Sequence, residues 1–365
     1  MSQVFMFPGQ GSQYKGMGED LFNKYPEIID IANEVLGYSV TDLCLHDPNN
    51  DLNETQYTQP ALFTVNALEY FNAIRQGNVP KFVIGHSLGE YNALLAAEVF
   101  DFRTGLTLVK ERGRLMSQAT EGKMAAIIGL EIDTIRKILR ENYLEGIDIA
   151  NINSSRQIVI SGLDEQMDSA ERCFINAGAT YIPLKVSAAF HSRYMQDANI
   201  EFRNFIDNFE FQKPKIPIIS NVTAIPYSQF EIKETLVTQI TSSVRWTESI
   251  NYILSNTQKD SIHFTELGPG NVLTKLNKTI ISDFEENEYK DSIKVKDNQE
   301  KHLKVEEIVD EWNSNNEIGC EVKFNGDSQE TYRTRTKAKI LFDHRAVIYL
   351  EGFNGYFELK DLIRA

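Results

Sequence analysis

The sequence has few of the features that mark secreted, membrane or disulfide-rich proteins. Its three cysteines, Cys44, Cys173 and Cys320, are odd in number, widely separated and without metal-ligand spacing, which predicts reduced thiols. No apolar run approaches the ~20 residues that a membrane-spanning helix needs. Met1-Ser2-Gln3 leads directly into an apolar run and leaves no charged leader. We therefore expect a cytoplasmic protein without a membrane partner.

Basic residues are also in deficit. The chain carries 37 Lys and Arg against 52 Asp and Glu, and its formal net charge of -15 argues against nucleic acid as a partner. Specific arginines, not the overall field, would have to attract an anionic substrate. With 365 residues, of which 42% are hydrophobic, the chain is long enough for two or three structural units.

The most informative motif is G-x-S-x-G, formed by Gly85-His86-Ser87-Leu88-Gly89. A short apolar strand is predicted at 80–84, and a helix is predicted from Glu90 onward. A serine in such a turn projects its hydroxyl out of the sheet, and glycines let neighbouring backbone approach it. The helix N-terminus also places partial positive charge where an oxyanion would form. A glycine-rich turn with an ordinary serine is the alternative, but the strand and helix context favours Ser87 as an acyl-transfer nucleophile.

A serine hydroxyl needs a neighbouring base, and the chain offers six histidines. His86 precedes the serine, and its side chain should diverge from that of Ser87. We therefore expect His86 to shape the turn around the serine or a ligand pocket. His191 follows a predicted strand in a loop of small residues, and this context favours it. From the residues alone His263 also remains a candidate base.

Ten segments over about residues 1 to 282 stand in the order and spacing found in one family of enzymes. They are FPGQGSQ (7–13), GHSLGE (85–90), ERGRLM (111–116), MAAIIG (124–129), NINS (151–154), QIVISG (157–162), AFHS (189–192), SNV (220–222), VRW (244–246) and ELGPG (266–270). Together they resemble the malonyl-CoA:acyl-carrier-protein transacylases and related acyltransferases of fatty-acid and polyketide synthesis. The resemblance is greatest to a discrete, trans-acting acyltransferase of a modular polyketide synthase.

The resemblance implies a role for each matching residue. Ser87 would attack an acyl-CoA thioester, and His191 would act as general base and then as general acid toward the leaving thiol. A main-chain carbonyl at the position of Gln239 would orient the histidine, which fixes its tautomer without a carboxylate. The backbone N–H groups of Gln10 and Leu88 would form the oxyanion hole.

Substrate selection would depend on two further residues. Arg112 matches the arginine that grips the free carboxylate of a malonyl group through two parallel hydrogen bonds. Without the resemblance, a surface arginine in the charged run 110–114 would be the simpler interpretation. Phe190 resembles the phenylalanine that goes with malonyl selectivity, since its ring would fill the volume of an alpha-methyl group; Ala188 departs from the commonest residue before this motif.

His86 and Asn153 complete the expected substrate-binding residues. The resemblance implies no metal or resident cofactor: malonyl-CoA is the substrate, and the phosphopantetheine belongs to the acyl carrier protein that would be the partner, together with polyketide synthase modules. Two other functions remain open. One is an acyl hydrolase on the same scaffold, which would clear acyl groups from carrier proteins, and the other is a non-catalytic docking protein.

The predicted fold class is α/β. Residues 1–122 and 188–282 are expected to form an α/β-hydrolase-like core with a mostly parallel sheet. The pattern of residues 123–187 predicts, in order, a strand (125–130), a helix (132–141), two strands (147–152 and 157–161), a helix (164–177) and a strand (179–186), which is the ferredoxin-like order. The active site should lie in the cleft between these two parts.

Past Ile281 the resemblance stops. Residues 283–299 are charged and lack Gly and Pro, which predicts a linker or an exposed helix. Residues 300–365 predict a small C-terminal module, with an amphipathic helix at 300–312 and strands at 320–324, 337–342, 346–350 and 356–359. The module is interpreted equally well as a packing cap on the catalytic part or as a docking element.

Overall fold

A computed structural model of the chain contains two units, Met1–Asp283 and Phe284–Ala365. It describes residues 2–257, 262–325, 330–341 and 345–365, without the side chains of 288–303. Residue 342, at the end of one predicted strand, therefore lies outside the described residues. No helix in these ranges combines the length and apolar character that crossing a membrane requires.

A parallel sheet organises the first unit. Its strands are β1 (Ser2–Phe7), β2 (Phe82–Gly85), β7 (Ile218–Ile219) and β8 (Ile262–Glu266), in the order β7-β2-β1-β8. Strand β2 and the last four residues of β1 are apolar and buried, as expected where helices cover both faces of a sheet. Phe7 lies opposite Gly85 in the register, so the loops that follow β1 and β2 leave the sheet side by side.

Nine helices of the first unit are named here in chain order: α1 (Glu19–Phe22), α2 (Pro26–Leu36), α3 (Val40–Leu45), α4 (Thr55–Arg75), α5 (Gly89–Ala96), α6 (Phe102–Gln118), α9 (Gln196–Ile206), α10 (Ile232–Gln239) and α11 (Trp246–Ser255). Asp101 caps the N-terminus of α6: its side chain accepts a hydrogen bond from Thr104 N and so satisfies a free helix N–H. Helix α5 is wholly buried and α4 is buried over most of its length, and they pack with the sheet into one large apolar core.

A second, antiparallel sheet lies between the two parts of this core in the sequence. The chain runs through β3 (Lys123–Ile128), α7 (Ile132–Glu141), β4 (Asp148–Ser154), β5 (Gln157–Gly162), α8 (Asp164–Asn176) and β6 (Thr180–Pro183), which is the predicted order of elements. The strand order is β4-β5-β3-β6, and β3 pairs antiparallel with both neighbours. Ile127, Ile160 and Phe174 belong to its own small core. The fold is therefore α/β, with a parallel sheet and separate antiparallel sheets.

Helix α12 (Val272–Asn315) includes the point at which the two units are divided. The charged segment 283–299, predicted as a linker or an exposed helix, is helical and lies within it.

In the part of the second unit that the structure describes, the strands form two three-stranded antiparallel sheets, β10-β9-β14 and β11-β12-β13. Their strands are β9 (Glu321–Phe324), β10 (Tyr332–Arg333), β11 (Lys339–Leu341), β12 (Arg345–Ile348), β13 (Phe357–Glu358) and β14 (Leu362–Arg364). The sequence pattern did not indicate β10 and β14, which contain two and three residues.

Candidate active site

Ser87 lies in the sharp turn between β2 and α5. Its φ of 51° is in the left-handed region, which is strained for a residue other than glycine and typical of a serine held in an elbow. Asn221 stabilises this turn on both sides: its side-chain oxygen accepts a bond from Ser87 N at 2.7 Å, and its amide donates to Gly85 O at 2.7 Å.

The glycines of the motif are required by close backbone contacts. A Cβ at Gly85 would lie 1.9 Å from the carbonyl carbon of Gly89, and one at Gly89 would lie 2.0 Å from the oxygen of Phe7. A Cβ at Gly9 would lie 2.4 Å from the oxygen of His86. Only residues without a side chain allow the loop that follows β1, called here the first loop, and the turn around Ser87, called here the elbow, to pack this closely.

His191 is the histidine that reaches the serine. Its Nε2 lies 2.7 Å from Ser87 Oγ, while Nδ1 lies 3.0 Å from the main-chain oxygen of Gln239 and 3.1 Å from that of Ser242. Because both carbonyls only accept, Nδ1 carries the proton and Nε2 is left with a free lone pair. Burial, with a smaller effect of the nearby Arg112 charge, lowers the pKa of His191 to about 3. The imidazole is therefore neutral at physiological pH.

The other candidate base lies elsewhere. His263 is an exposed residue of β8, paired with Gln3 in the parallel sheet. The second acceptor for His191, the carbonyl of Ser242, was not expected from the sequence, because a main-chain oxygen leaves no residue-type signal.

Arg112 lies on α6 and its side chain points into the site. It is 1% exposed, and its NH2 nitrogen lies 3.2 Å from Ser87 Oγ. Two carboxamides hold the guanidinium: Gln59 Oε1 accepts from NH1 at 2.7 Å, and Gln239 Oε1 accepts from NH2 at 3.0 Å. Burial lowers the pKa of Arg112, and the neighbouring Tyr91 and Glu90 oppose this shift. Arg114, by contrast, points outward and pairs with Glu111.

The N–H groups of Gln10 and Leu88 both lie where the first loop meets the elbow, and neither donates to another group within the described residues. The loop is held from α4, where Thr55 Oγ1 accepts from Gln10 Nε2 at 3.1 Å and Asn66 donates to Pro8 O at 3.0 Å. Leu88 immediately precedes the first residue of α5, so its N–H belongs to the positive end of that helix.

A cavity of about 90 Å³ joins these groups, and it is lined by Gln10, Ser87, Leu88, Arg112, Phe190 and His191 among others. A neighbouring cavity of about 220 Å³ shares Gln10 and His86 and is lined on its other side by Asn153. His86 Nε2 lies 2.8 Å from Asn153 Oδ1, which joins the elbow to β4. The structure thus brings all nine predicted site residues together.

Sequence reasoning missed several polar residues beneath the serine. Gln59, Asn221 and Glu90 are buried and bonded to the catalytic candidates. Glu90 and Asn221 each lie in a segment of the resemblance, GHSLGE (85–90) and SNV (220–222), whereas Gln59 has no such signal. Within the described residues, no three His, Cys, Asp or Glu side chains gather closely enough to hold a metal ion.

Comparison with known proteins gives consistent matches. A family model described as an acyl transferase domain matches residues 4–325, so the expectation that the resemblance stops at Ile281 is wrong. The chain is 51% identical over 285 residues to the polyketide biosynthesis malonyl CoA-acyl carrier protein transacylase PksC of Bacillus subtilis, and the match covers 77% of this chain and 98% of that protein.

Solved structures agree. A malonyl CoA-acyl carrier protein transacylase from Burkholderia pseudomallei matches with a TM-score of 0.76 at 48% identity, covering 77% of this chain and 98% of that one. The malonyl-transacylase PlMCAT, solved in complex with the type II polyketide synthase acyl-carrier protein AntF, matches with a TM-score of 0.72 at 35% identity, covering 77% of this chain and 94% of that chain.

Proposed function

The chain belongs to the acyl transferase family and, within it, to the malonyl CoA-acyl carrier protein transacylases, and on this premise we propose its reaction. It transfers a malonyl group from malonyl-CoA, through an ester on Ser87, to the phosphopantetheine thiol of an acyl carrier protein. The names of its relatives favour polyketide synthesis, and the enzyme would act in trans on the carrier domains of synthase modules. Fatty-acid synthesis uses the same chemistry.

One observation carries this proposal. Ser87 Oγ has the neutral Nε2 of His191 at 2.7 Å and the guanidinium of Arg112 at 3.2 Å. The first group activates a nucleophile. The second suits an acyl group that carries a carboxylate of its own, because a buried cation this close to the ester would have no function toward a plain hydrocarbon chain.

In the acylation step, His191 Nε2 takes the proton of Ser87 Oγ as the oxygen attacks the thioester carbonyl carbon. The N–H groups of Gln10 and Leu88 hold the resulting oxyanion, each such donor contributing about 3 kcal/mol. The tetrahedral intermediate then collapses, the C–S bond breaks, and the imidazolium returns the proton to the departing thiolate of CoA.

Transfer reverses the same steps with a different thiol. The phosphopantetheine thiol gives its proton to His191, its sulfur attacks the Ser87 ester, and Ser87 recovers the proton as the C–O bond breaks. The carbonyls of Gln239 and Ser242 keep Nδ1 protonated throughout, so the same nitrogen serves in both directions. No metal or redox cofactor takes part in these proton and acyl transfers.

Arg112 and Phe190 would select the acyl group. The arginine would bind the malonyl carboxylate, and an acetyl group would leave that buried charge without its ligand. Phe190 lines the same cavity and is 4% exposed, so its ring occupies space that an alpha-methyl group would need. His86 and Asn153 line the adjoining cavity, where they would contact the remainder of the substrate.

We also propose the finer fold assignment. Residues 1–122 and 188–282 form an α/β-hydrolase-like core, and 123–187 form a ferredoxin-like subdomain, supported by the element order and the strand order β4-β5-β3-β6. The segment 283–299 connects this catalytic part to a C-terminal module, 300–365. The cytoplasm, where acyl-CoA thioesters and carrier proteins occur, is the proposed location.

The experiment incubates the full chain briefly with malonyl-CoA, acetyl-CoA and methylmalonyl-CoA in competition and measures the intact mass. We expect a malonyl adduct of about 86 Da on Ser87. Ser87→Ala should abolish it, while His191→Ala should slow its formation strongly. An adduct that persists in Ser87→Ala, or preferential labelling by acetyl-CoA, would overturn the proposal.

A further inference from the structure

Glu90 is an acidic residue buried beneath the nucleophile. Its side chain is wholly inaccessible to solvent, and both carboxylate oxygens accept hydrogen bonds. Oε1 accepts from Asn221 N and from the hydroxyl of Tyr227, each at 2.8 Å, and Oε2 accepts from Gln239 Nε2. Three donors converge on this side chain, and a carboxylate is the group that accepts from all of them without donating.

The bond to Gln239 determines how that carboxamide is oriented. Its Nε2 donates both to Glu90 and to the main-chain oxygen of Ser87 at 2.9 Å, so its Oε1 must face the other way. That oxygen accepts from Arg112 NH2 at 3.0 Å. Glu90, Gln239 and Arg112 thus form a chain of donors and acceptors in which each bond fixes the next.

Arg112 lacks the partner that a buried arginine ordinarily has. Within the described residues no carboxylate lies within ion-pair distance of its guanidinium, and its hydrogen-bond partners are the carboxamides of Gln59 and Gln239 and the hydroxyl of Ser87. A carboxylate bonded directly to this group would compete with the carboxylate of a substrate. Glu90 instead lies behind the Gln239 carboxamide, which separates its carboxyl group from the Arg112 guanidinium.

We propose that Glu90 is a positioning residue for substrate selection. It locks the Gln239 carboxamide and, when ionised, supplies an offset counter-charge, so that the Arg112 guanidinium is held in place without a competing carboxylate. The inference rests on the proposed function, since it concerns how the arginine discriminates malonyl from acetyl groups. Glu90 touches neither the substrate nor the reacting atoms and acts through Gln239.

The test compares single-turnover acylation of the full chain by malonyl-CoA and by acetyl-CoA in Glu90→Gln. The new amide would direct an N–H toward groups that also donate, and the Gln239 carboxamide would turn its own N–H groups toward Arg112. We expect the ratio of malonyl to acetyl rates to fall at least tenfold. Glu34→Gln is the matched control, since Glu34 pairs with Arg103 at the surface, and it should leave the ratio unchanged.

Gln239→Glu provides a second variant, which is decisive if Glu90→Gln does not fold. It places a carboxylate directly on Arg112, and we expect the malonyl rate to fall at least tenfold more than the acetyl rate. If Glu90→Gln folds and its ratio of malonyl to acetyl rates is unchanged, the inference is overturned. If Glu90→Gln does not fold, an unchanged ratio in Gln239→Glu overturns it. A native enzyme that forms no malonyl adduct would instead contradict the proposed function itself.

Discussion

At the scale of single residues, the site depends on charge placed where water is excluded. His191 is kept neutral by burial and by the charge of Arg112, so it is ready to accept a proton. Burial raises the pKa of Glu90 to about 7, while three hydrogen bonds and Arg112 act to lower it. The buried guanidinium of Arg112 therefore lowers the pKa values of both His191 and Glu90, and it also lies beside the Ser87 hydroxyl.

Replacing Arg112 tests its role in selection. We expect Arg112→Ala to lose malonyl preference by about 2–4 kcal/mol, because a carboxylate in this buried site would be left without a partner. Acetyl transfer should suffer less or gain. Competition kinetics with the two CoA esters measure the preference, and Arg114→Ala, which removes an arginine that pairs with Glu111 at the surface, serves as the control. Equal losses for both substrates would assign Arg112 a structural role.

At the scale of elements, the site is built where two adjacent strands end. β1 and β2 pair in parallel with Phe7 opposite Gly85, so the loops after them meet at the carboxyl edge of the sheet, where α/β proteins commonly bind ligands. Helix α5 supplies its N-terminus at the same point, and α6 and α10 contribute Arg112 and Gln239.

The contact between the first loop and the elbow can be tested at Gly9. A methyl group there would lie 2.4 Å from the oxygen of His86, so Gly9→Ala must shift the loop that carries the N–H of Gln10. Loss of one oxyanion donor, worth about 3 kcal/mol, predicts acylation slowed by about a hundredfold or more. Gly355→Ala is the control, because a Cβ at that position meets nothing within 4 Å. Native-like acylation by Gly9→Ala would argue against Gln10 as an oxyanion donor.

The elements that could be predicted are those specified locally. The strand, the glycines and the helix around Ser87 occupy neighbouring positions, and α7 has the predicted bounds because its apolar residues repeat with helical period. The polar network could not be predicted in the same way, since Gln239 meets Glu90 across 149 residues. Nothing in either local pattern specifies that pairing, which follows only from how the sheet and helices pack.

At the scale of the whole molecule, all nine proposed site residues lie in the first unit, Met1–Asp283. The C-terminal unit has its own apolar core, which includes Val322, Ile348 and Leu350. The catalytic chemistry of the first unit and the role of the C-terminal unit, Phe284–Ala365, called here the tail, can therefore be tested separately.

Truncation makes that test. A chain ending at Asp283 keeps the buried α12 residues Leu273, Leu276 and Ile280, and we expect it to remain folded and to self-acylate at the native rate. Circular dichroism and intact mass after malonyl-CoA treatment would check this. If the tail is a docking element, transfer to the cognate carrier protein should weaken while transfer to a generic one persists. Insoluble protein would identify the tail as a packing cap, and a folded domain without self-acylation would refute the proposed boundary.

The proposed function requires that the Ser87 ester passes its malonyl group to a carrier thiol and not to water. The most direct measurement isolates the malonylated enzyme, chases it with a carrier protein in either its phosphopantetheine-bearing or its unmodified form, and follows all masses together with free malonate. If the enzyme is a transferase, malonate should appear slowly in every sample, and the malonyl mass should move rapidly to the phosphopantetheine-bearing carrier alone. Rapid release of malonate at the same rate with either carrier would contradict the proposed function and identify the protein as a hydrolase.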